Sequence, residues 1–521
     1  AIEVTDMGKR SILKSESNTK QFIINLIFTV VAFVLNFCIS FFITQYITNE
    51  FGSDAYGFVK LANDFAGYAT LLSIPLNSMA SRFIMLETER GNISEAKRYY
   101  SSIAVANVVL ALIMVLPSLL CVIYLEKFLT IPTVLVLEVK LTFAFTFASF
   151  IVNLLFSIHG NCYYLTNTLG ISSIRDALMT MLRVAVIIAL FSFTSPRISY
   201  VAIGALAATL FSIIYNLYHH KKLTPDLMFN YKEFEPKKLL DVISAGIWNS
   251  ITKLSQIFSS GLDLLLTNML IDSQMMGYLS VAKTVPGLAA SFNATIANIF
   301  SPNLMKLYAK NDMAGLKKAT ISSMRFMCLF TSIPNAILIT MGKDFFELWV
   351  PGQPSQLINI LSVLTIINSC VTGPAQPLYQ IFTITNKIKQ SSVVLIVYGF
   401  VSVIVTCLCL LFTDLGVYAV AGVSMVGSMI VALFYHVPYA AKYIGLPKYT
   451  FFPEIAKSII STIVLCGIGF AINMVVDQSA SWIMWFVGAC LLGIIGLCVN
   501  IGLVLHKDER AVLSQKFFSV I

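Results

Sequence analysis

Residues 393–412 read VVLIVYGFVSVIVTCLCLLF and contain no charged side chain. A helix rises 1.5 Å per residue, so about 20 apolar residues cross the roughly 30 Å of hydrocarbon in a bilayer. The whole 521-residue chain has the same character, since 57% of its residues are hydrophobic, 12% are charged and its mean hydropathy is +0.82. A soluble domain carries about 25% charged residues. The sequence therefore excludes a soluble enzyme and predicts an all-α polytopic membrane protein.

Fourteen apolar blocks have the length of a transmembrane helix. Their bounds are 21–48, 55–85, 99–125, 134–158, 172–194, 198–218, 239–270, 275–305, 319–341, 355–384, 390–413, 415–437, 452–475 and 481–505. We expect an N-terminal six-helix lobe (1–218), a cytoplasmic connection (219–238), a C-terminal six-helix lobe (239–440) and two additional helices with a cytoplasmic tail (441–521).

The basic residues of the connecting segments predict an orientation. With the N-terminus inside, 23 Lys and Arg residues lie in cytoplasmic segments, against Lys127, Arg197 and Lys343 in external ones. Cytoplasmic loops carry the excess of Lys and Arg in membrane proteins. Both termini are therefore expected in the cytoplasm, and the bias favours an even number of spans.

The two halves of the chain align at a fixed offset of 220 residues without a gap. The matched pairs include Gly57 with Gly277, Ala62 with Ala282, Gly67 with Gly287, Ser81 with Ser301 and Lys97 with Lys317. Small residues match easily in membrane helices, so chance similarity is the alternative explanation. Since six is an even number of spans, both halves would enter the membrane from the same side. Parallel repeats of this kind form a substrate site between the halves and alternate between inward-open and outward-open states.

Nine basic residues fall inside the predicted spans. A Lys or Arg at the bilayer centre costs about 2.5–3.5 kcal/mol, although Arg82, Lys140 and Lys457 lie near helix ends and can reach the interface. The other six are Lys60, Arg175, Arg183, Lys253, Lys283 and Arg325. The acids counted within the spans are Asp64, Asp176 and Asp263. Structural ion pairs are the alternative explanation, but three acids leave positive charge in excess. We therefore expect a water-filled cavity that binds an anion.

Polar side chains recur at helical spacing on the same spans. The predicted cavity for phosphate and glycan comprises Lys60, Asn63, Asn77, Arg175, Arg183, Asn249, Lys253, Gln256, Lys283, Arg325 and Gln376. Pro286 and the Gly373-Pro374 pair are expected to interrupt two of the spans, because proline lacks the N–H group that a helix needs.

Two segments carry a resemblance to a known family. Residues 46–84, YITNEFGSDAYGFVKLANDFAGYATLLSIPLNSMASRFI, and residues 261–285, GLDLLLTNMLIDSQMMGYLSVAKTV, are similar to the corresponding regions of the multidrug/oligosaccharidyl-lipid/polysaccharide exporter superfamily. The branch that they resemble is that of the polysaccharide transporters, which includes Wzx-type and teichoic-acid precursor flippases. Asp263, Gly277, Tyr278 and Ala282 match its signature. The resemblance implies a MATE/MurJ-like fold of two six-helix lobes and two further helices.

The resemblance also implies a function that is not enzymatic. Members of the branch flip undecaprenyl-(di)phosphate-linked oligosaccharides or teichoic-acid precursors from the cytoplasmic to the outer leaflet by alternating access. By this likeness the protein needs no cofactor, although H⁺ or Na⁺ coupling at Asp64 or Asp263 is expected. Its partners would be the polyprenyl-linked glycan, the lipid bilayer and an envelope glycan polymerase or ligase, with no nucleic acid. The expected state is a monomer in a bacterial cytoplasmic membrane.

Three alternatives stay open on the sequence. A drug/cation antiporter of the same fold would carry mostly cationic substrates, which an excess of Arg and Lys disfavours. A lipid II flippase of the MurJ type differs in cargo rather than in mechanism. A membrane-bound polymerase or ligase would need a substantial external loop, and every predicted external loop is short.

Overall fold

A computed structural model describes residues 37–166, 168–385, 387–479, 481–506 and 509–510, and all regular elements within these ranges are helical. The helices of the first half are α1 (37–51), α2 (Ser53–Glu89), α3 (Ile93–Ile123), α4 (Leu125–Phe128), α5 (Val136–Phe156), α6 (Cys162–Leu165), α7 (Leu169–Phe193), α8 (Tyr200–Leu223) and α9 (Pro236–Gln256). Those that follow are α10 (Asp263–Leu270), α11 (Ser273–Ala282), α12 (Thr284–Ala309), α13 (Met313–Trp349), α14 (Ser355–Ile366), α15 (Ser369–Ile384), α16 (Ile388–Phe412), α17 (Val417–Val431), α18 (Val437–Tyr443), α19 (Phe452–Asn473) and α20 (Trp482–Leu503).

Eleven helical stretches of the described chain are long and apolar enough to cross a membrane. They coincide with eleven of the predicted blocks. The block 21–48 lies mostly outside the described residues. The blocks 239–270 and 275–305 are not among the eleven, and both carry many polar side chains. The count of fourteen therefore stays a prediction.

The chain divides into two compact units. Among the described residues, the first unit contains 37–44 together with Phe58–Ser250, and the second contains Gln45–Gly57 together with residues 251–510. The later boundary lies inside α9 rather than in the segment 219–238. These units do not test the predicted layout of six, six and two spans, which stays a prediction.

In the first unit, the segment after α8 is held against α3. The Ser102 hydroxyl accepts a hydrogen bond from the Glu235 backbone N–H at 2.9 Å and donates to the Glu235 carbonyl at 3.2 Å. The Asn230 N–H donates to the Ser101 hydroxyl at 3.2 Å, and Leu227 is buried in the core that α3 and α9 share. The segment predicted as a separate connection is thus an integral part of this unit.

In the second unit, α13 is the central helix and packs against α12, α14, α15, α19 and α20. Its length of 37 residues lets one face contact several neighbours in succession. Met324, Met327, Ala336 and Met341 on this helix are fully buried. Apolar burial of this kind gives the unit a packed interior in addition to its lipid-facing surface.

Also in the second unit, the start of α2 crosses α11 at two glycines. A Cβ atom at Gly277 would lie 2.4 Å from the backbone nitrogen of Asp54, and one at Gly57 would lie 3.1 Å from the Cα atom of Gly277. The Tyr56 hydroxyl is 3.0 Å from the Thr284 hydroxyl next to this crossing. Gly57 and Gly277 are also the pair that the 220-residue offset aligns, so the predicted equivalents contact each other.

Candidate functional site

A cavity of about 440 Å³ lies within the second unit. Its polar lining consists largely of hydroxyl and amide side chains, from Thr252, Gln256, Ser259, Ser260, Thr365, Asn368, Thr372, Thr383, Ser391, Ser392, Ser424 and Ser428. Tyr379, Phe382 and Tyr398 add aromatic surface. The charged residues Asp263 and Lys283 lie among them, and these two with Gln256 are the predicted site residues that the cavity brings together.

Helix interruptions turn these groups towards the cavity. After α9 the chain forms one π-helical turn, Ile257–Gly261, before α10 begins at Asp263. α11 ends at Ala282 and α12 begins at Thr284, with Lys283 at the break. Pro286 lies in the first turn of α12, where its missing N–H is tolerated, so the break predicted for this span is present.

The break predicted at Gly373-Pro374 is wrong. α15 runs without interruption through both residues, and the helix of this span is instead broken between Ile366 and Ser369. Asn368, which lies at the break, lines the cavity.

Asp263 and Lys283 form an ion pair in this cavity. The Lys283 Nζ atom lies 2.7 Å from the Asp263 Oδ2 atom and 3.1 Å from the Ser260 carbonyl oxygen. The Ser424 hydroxyl lies 3.2 Å from the Asp263 Oδ1 atom and donates to the Ser259 carbonyl oxygen at 3.0 Å. The Asp263 side chain is 9% exposed and that of Lys283 is 25% exposed. The two charges compensate each other, so the expected excess of positive charge is absent from the described lining of this cavity.

A smaller cavity, of about 260 Å³, lies within the first unit. Its lining is again rich in hydroxyl and amide groups, from Asn63, Thr70, Thr142, Thr146, Ser149, Asn153 and Thr209. Arg183 supplies the basic group. Asn63 and Arg183 are the predicted site residues found here.

Several predicted site residues line neither cavity. Asn77 belongs to a hydrogen-bonded group with Asn107 and Ser157, at 3.0 Å and 3.1 Å. Arg175 forms an ion pair with the neighbouring Asp176 at 2.7 Å and donates to Asn216 at 2.9 Å. The others outside the linings of these two cavities are Lys60, Asp64, Asn249, Lys253, Arg325 and Gln376.

Arg325 corrects the count of membrane charges. Its guanidinium donates to both oxygens of Glu454 at 3.0 Å and to Glu509 at 3.2 Å, and Lys457 also contacts Glu454 at 3.1 Å. Glu454 lies at the start of the predicted span 452–475, and Glu509 follows the last predicted span. Neither acid was therefore included when the charges inside the spans were compared. The positive excess attributed to Arg325 is therefore wrong.

The contacts in this cluster lower the pKa of Glu509. Burial alone would raise the pKa of Glu509, but hydrogen bonds from the His506 backbone and Ser322, together with the charge of Arg325, outweigh burial and lower that pKa. The cluster therefore holds Glu509 in its ionised form.

Two polar partners in the larger cavity had no signal in the sequence. Ser424 lies in an apolar stretch of α17, and the carbonyl oxygens of Ser259 and Ser260 are backbone groups that every residue carries. Hydropathy and spacing do not reveal either kind of contact.

Comparison with known proteins places this geometry in a known fold. No family model matches the chain. It is 24% identical over 497 residues to EpsK, an uncharacterized membrane protein of Bacillus subtilis (strain 168), covering 95% of this chain and 98% of EpsK. An inward-facing multidrug resistance MATE family transporter of the MOP superfamily superposes with a TM-score of 0.65 at 12% identity, over 81% of this chain and 98% of that one. The lipid II flippase MurJ, in an inward closed conformation, superposes with a TM-score of 0.62 at 14% identity, over 92% of this chain and 99% of that one.

The fold is that of MATE and MurJ. The chain is thus a multi-pass membrane protein with the MATE/MurJ fold. The MATE/MurJ-like fold that the resemblance of residues 46–84 and 261–285 implied is confirmed, whereas its layout of two six-helix lobes and two further helices stays a prediction. The polysaccharide branch of the superfamily is a finer assignment, which identities of 12–14% do not decide.

Proposed function

We propose that this protein is a flippase that moves an undecaprenyl-(di)phosphate-linked oligosaccharide or teichoic-acid precursor from the cytoplasmic to the outer leaflet. The observation that carries the proposal is the extent of the fold similarity. MurJ matches 92% of the chain, whereas the MATE transporter matches 81%. The similarity to MurJ therefore extends over more of this chain than the similarity to the MATE transporter, at TM-scores of 0.62 and 0.65.

The lining of both cavities supports a glycan cargo. Sugars present many hydroxyl groups, each of which donates and accepts hydrogen bonds, and Ser, Thr, Asn and Gln side chains offer matching partners. Each cavity also contains one Lys or Arg residue, Lys283 or Arg183, that can bind a phosphate oxygen. A phosphate would compete with Asp263 for the Lys283 ammonium group.

The proposal extends to the setting of the reaction. The protein would lie in a bacterial cytoplasmic membrane with both termini inside, work as a single chain by alternating access, and draw on an ion gradient. A glycan polymerase or ligase at the outer face would then use the flipped product.

A drug/cation antiporter is the second candidate, because a carboxylate in the larger cavity is suited to a cationic substrate. The Lys283 ammonium at 2.7 Å already compensates the Asp263 charge, which disfavours this candidate. A lipid II flippase is the third, since MurJ carries that name.

A liposome assay separates these candidates. The purified protein is reconstituted with a labelled undecaprenyl-diphosphate oligosaccharide, with lipid II, or with a cationic dye, and movement of each substrate is followed with and without ion gradients. Compared with protein-free liposomes, we expect faster flipping of the oligosaccharide, and no acceleration for lipid II or the dye. Flipping confined to lipid II, or efflux confined to the dye, would replace the proposal with the corresponding candidate.

Site variants test the phosphate-binding residues in the same assay. Lys283→Ala and Arg183→Ala are expected to slow flipping about 10- to 100-fold, because a hydrogen bond to a charged group contributes about 1.5–3 kcal/mol. Lys253→Ala is the matched control, since Lys253 belongs to a predicted span but lines neither cavity. Wild-type rates in folded Lys283→Ala and Arg183→Ala proteins would contradict the assignment.

A further inference from the structure

The oxygen atoms around Lys283 form a site suited to a small cation. Around the ammonium group are the Asp263 carboxylate and the Ser260 carbonyl, with the Ser259 carbonyl and the Ser424 hydroxyl adjoining them. Carboxylate, carbonyl and hydroxyl oxygens are the ligands that hard cations prefer. All four groups lie in the second unit and line its cavity.

The backbone is arranged to supply these oxygens. In a continuous helix each carbonyl accepts a hydrogen bond from the N–H group four residues later. Between α9 and α10 the chain makes a π-helical turn in which the Leu262 N–H bonds to the Ile257 carbonyl at 3.0 Å, five residues back. The carbonyl oxygens of Ser259 and Ser260, at the end of this turn, accept hydrogen bonds from the side chains of Ser424 and Lys283.

The ammonium group already occupies this site. Its nitrogen lies 2.7 Å from a carboxylate oxygen and 3.1 Å from a carbonyl oxygen. These are hydrogen-bonding distances for a charged donor, and they leave no room for a metal ion between the nitrogen and the same oxygens. An added Na⁺ would also meet the positive charge of Lys283 at contact distance. The Na⁺ coupling expected at Asp263 therefore does not fit the geometry.

We propose that Lys283 is a built-in cation, which takes the place of an inorganic cation at Asp263 and makes this site independent of Na⁺. The reason is the cost of an isolated buried charge. A buried carboxylate without a partner must bind a cation or a proton, and Lys283 and Asp263 are the charged acid and base of the described lining. Removal of the ammonium group should uncover a site for a monovalent metal cation.

Sodium binding to the purified full chain tests this proposal. Binding of ²²Na⁺ to the purified chain is measured directly. The thermal unfolding temperature is measured in NaCl and in choline chloride at equal ionic strength. The variants are Lys283→Met, which keeps the apolar stem without the charge, the double variant Lys283→Met/Asp263→Asn, and the control Lys253→Met. We expect about one Na⁺ per chain and a higher unfolding temperature in Lys283→Met. The wild type, the double variant and the control should show no Na⁺-specific response.

Two results would overturn the proposal. The first is Na⁺ binding by the wild-type chain that Asp263→Asn removes. The second is a folded Lys283→Met protein that binds no Na⁺ between pH 6 and 9. If Lys283→Met fails to fold, the wild-type and Asp263→Asn measurements still decide the first point. No cargo enters the measurement, so its outcome is separate from that of the flippase proposal.

Discussion

At the scale of single residues, two glycines determine how closely α2 approaches α11. The Cβ atom of any other residue at position 277 would overlap the backbone of Ser53 and Asp54. Neither neighbour can move aside as a flexible side chain would. The crossing therefore depends on the absence of a side chain, and a methyl group there must separate the two helices.

We predict that Gly277→Ala lowers the stability of the protein by about 1–3 kcal/mol, the usual cost of overpacking. Thermal unfolding in detergent is the measurement. Gly287→Ala is the matched control, because a Cβ atom at that helical position meets no atom within 4 Å. The control should be neutral or slightly stabilising, since alanine favours a helix over glycine by about 0.5–1 kcal/mol. Equal unfolding temperatures for the two variants would contradict the prediction.

Arg325 gives a second prediction at this scale. Arg325→Ala leaves the buried Glu454 with Lys457 alone. A buried charge left without any partner costs about 3–5 kcal/mol, and Lys457 offsets part of that cost, so a smaller but clear fall in unfolding temperature is expected. The flipping rate per folded molecule should stay at the wild-type value, because Arg325 lines neither cavity. A stable Arg325→Ala protein with lost transport would restore Arg325 to the substrate site.

The sequence could identify charged residues but not their partners. The helical spacing of polar residues selected Gln256, whereas Asp263 and Lys283 were selected because a charge inside a span is costly. The structure brings these three together in one cavity. The partners of Arg325 were missed because Glu454 and Glu509 come from other helices or lie beyond a span. Spacing within one helix carries no information on contacts between helices.

At the scale of helices, the apolar blocks predicted where the long helices lie but not what the polar segments do. The segment 219–238 was predicted as a connection because it is polar. Its backbone N–H groups nevertheless bond to Ser101 and Ser102 on α3. A serine hydroxyl on a helix gives the same hydropathy whether it faces lipid, water or a backbone donor, so this attachment had no signal in the pattern.

Proteolysis tests this attachment. The double variant Ser101→Ala/Ser102→Ala removes hydrogen bonds that together contribute about 1–3 kcal/mol. Trypsin cleavage after the exposed Lys232 should then be about tenfold faster, because the segment opens more often. Fragments are measured by mass spectrometry. Ser244→Ala is the control, since the Ser244 hydroxyl donates to the Asp241 carbonyl oxygen of its own helix. An unchanged cleavage rate in the double variant would refute the attachment.

The contact of Glu509 with α13 predicts a pH dependence of stability. The pKa of Glu509 is lowered from 4.5 in the folded protein, so the ionised carboxylate stabilises the fold. This contribution is fully present above about pH 4.5 and is lost as the pH falls through the folded-state pKa. The difference in unfolding temperature between wild type and Glu509→Gln should therefore shrink in acid. The exposed Glu89→Gln is the control. A difference that is constant from pH 3 to 7 would contradict the assignment.

At the scale of the whole molecule, the charge bias predicts which loops face the cytoplasm. Lys310, between α12 and α13, belongs to a predicted cytoplasmic loop. Gln356, at the start of α14, lies at the external end of a predicted span, and both residues are exposed. Both variants are made in a background in which the exposed native Cys38, Cys490 and Cys498 are replaced by alanine. In sealed cells we expect a membrane-impermeant maleimide to label Gln356→Cys but not Lys310→Cys. Lysed cells supply the control for reactivity. The reverse pattern would invert the predicted topology.

The contact of α2 with α12 also imposes an order on biosynthesis. Tyr56 and Thr284, whose hydroxyl groups lie 3.0 Å apart, are separated by 228 residues of chain. A ribosome that adds about 5–20 residues per second needs roughly 10–45 s to proceed from one to the other. During that interval the segment Gln45–Gly57 has been translated, whereas most of the unit to which it belongs has not. This early segment must therefore stay accessible in the membrane until its later neighbours have been translated. If another surface covered it before then, its contacts with the second unit could not form.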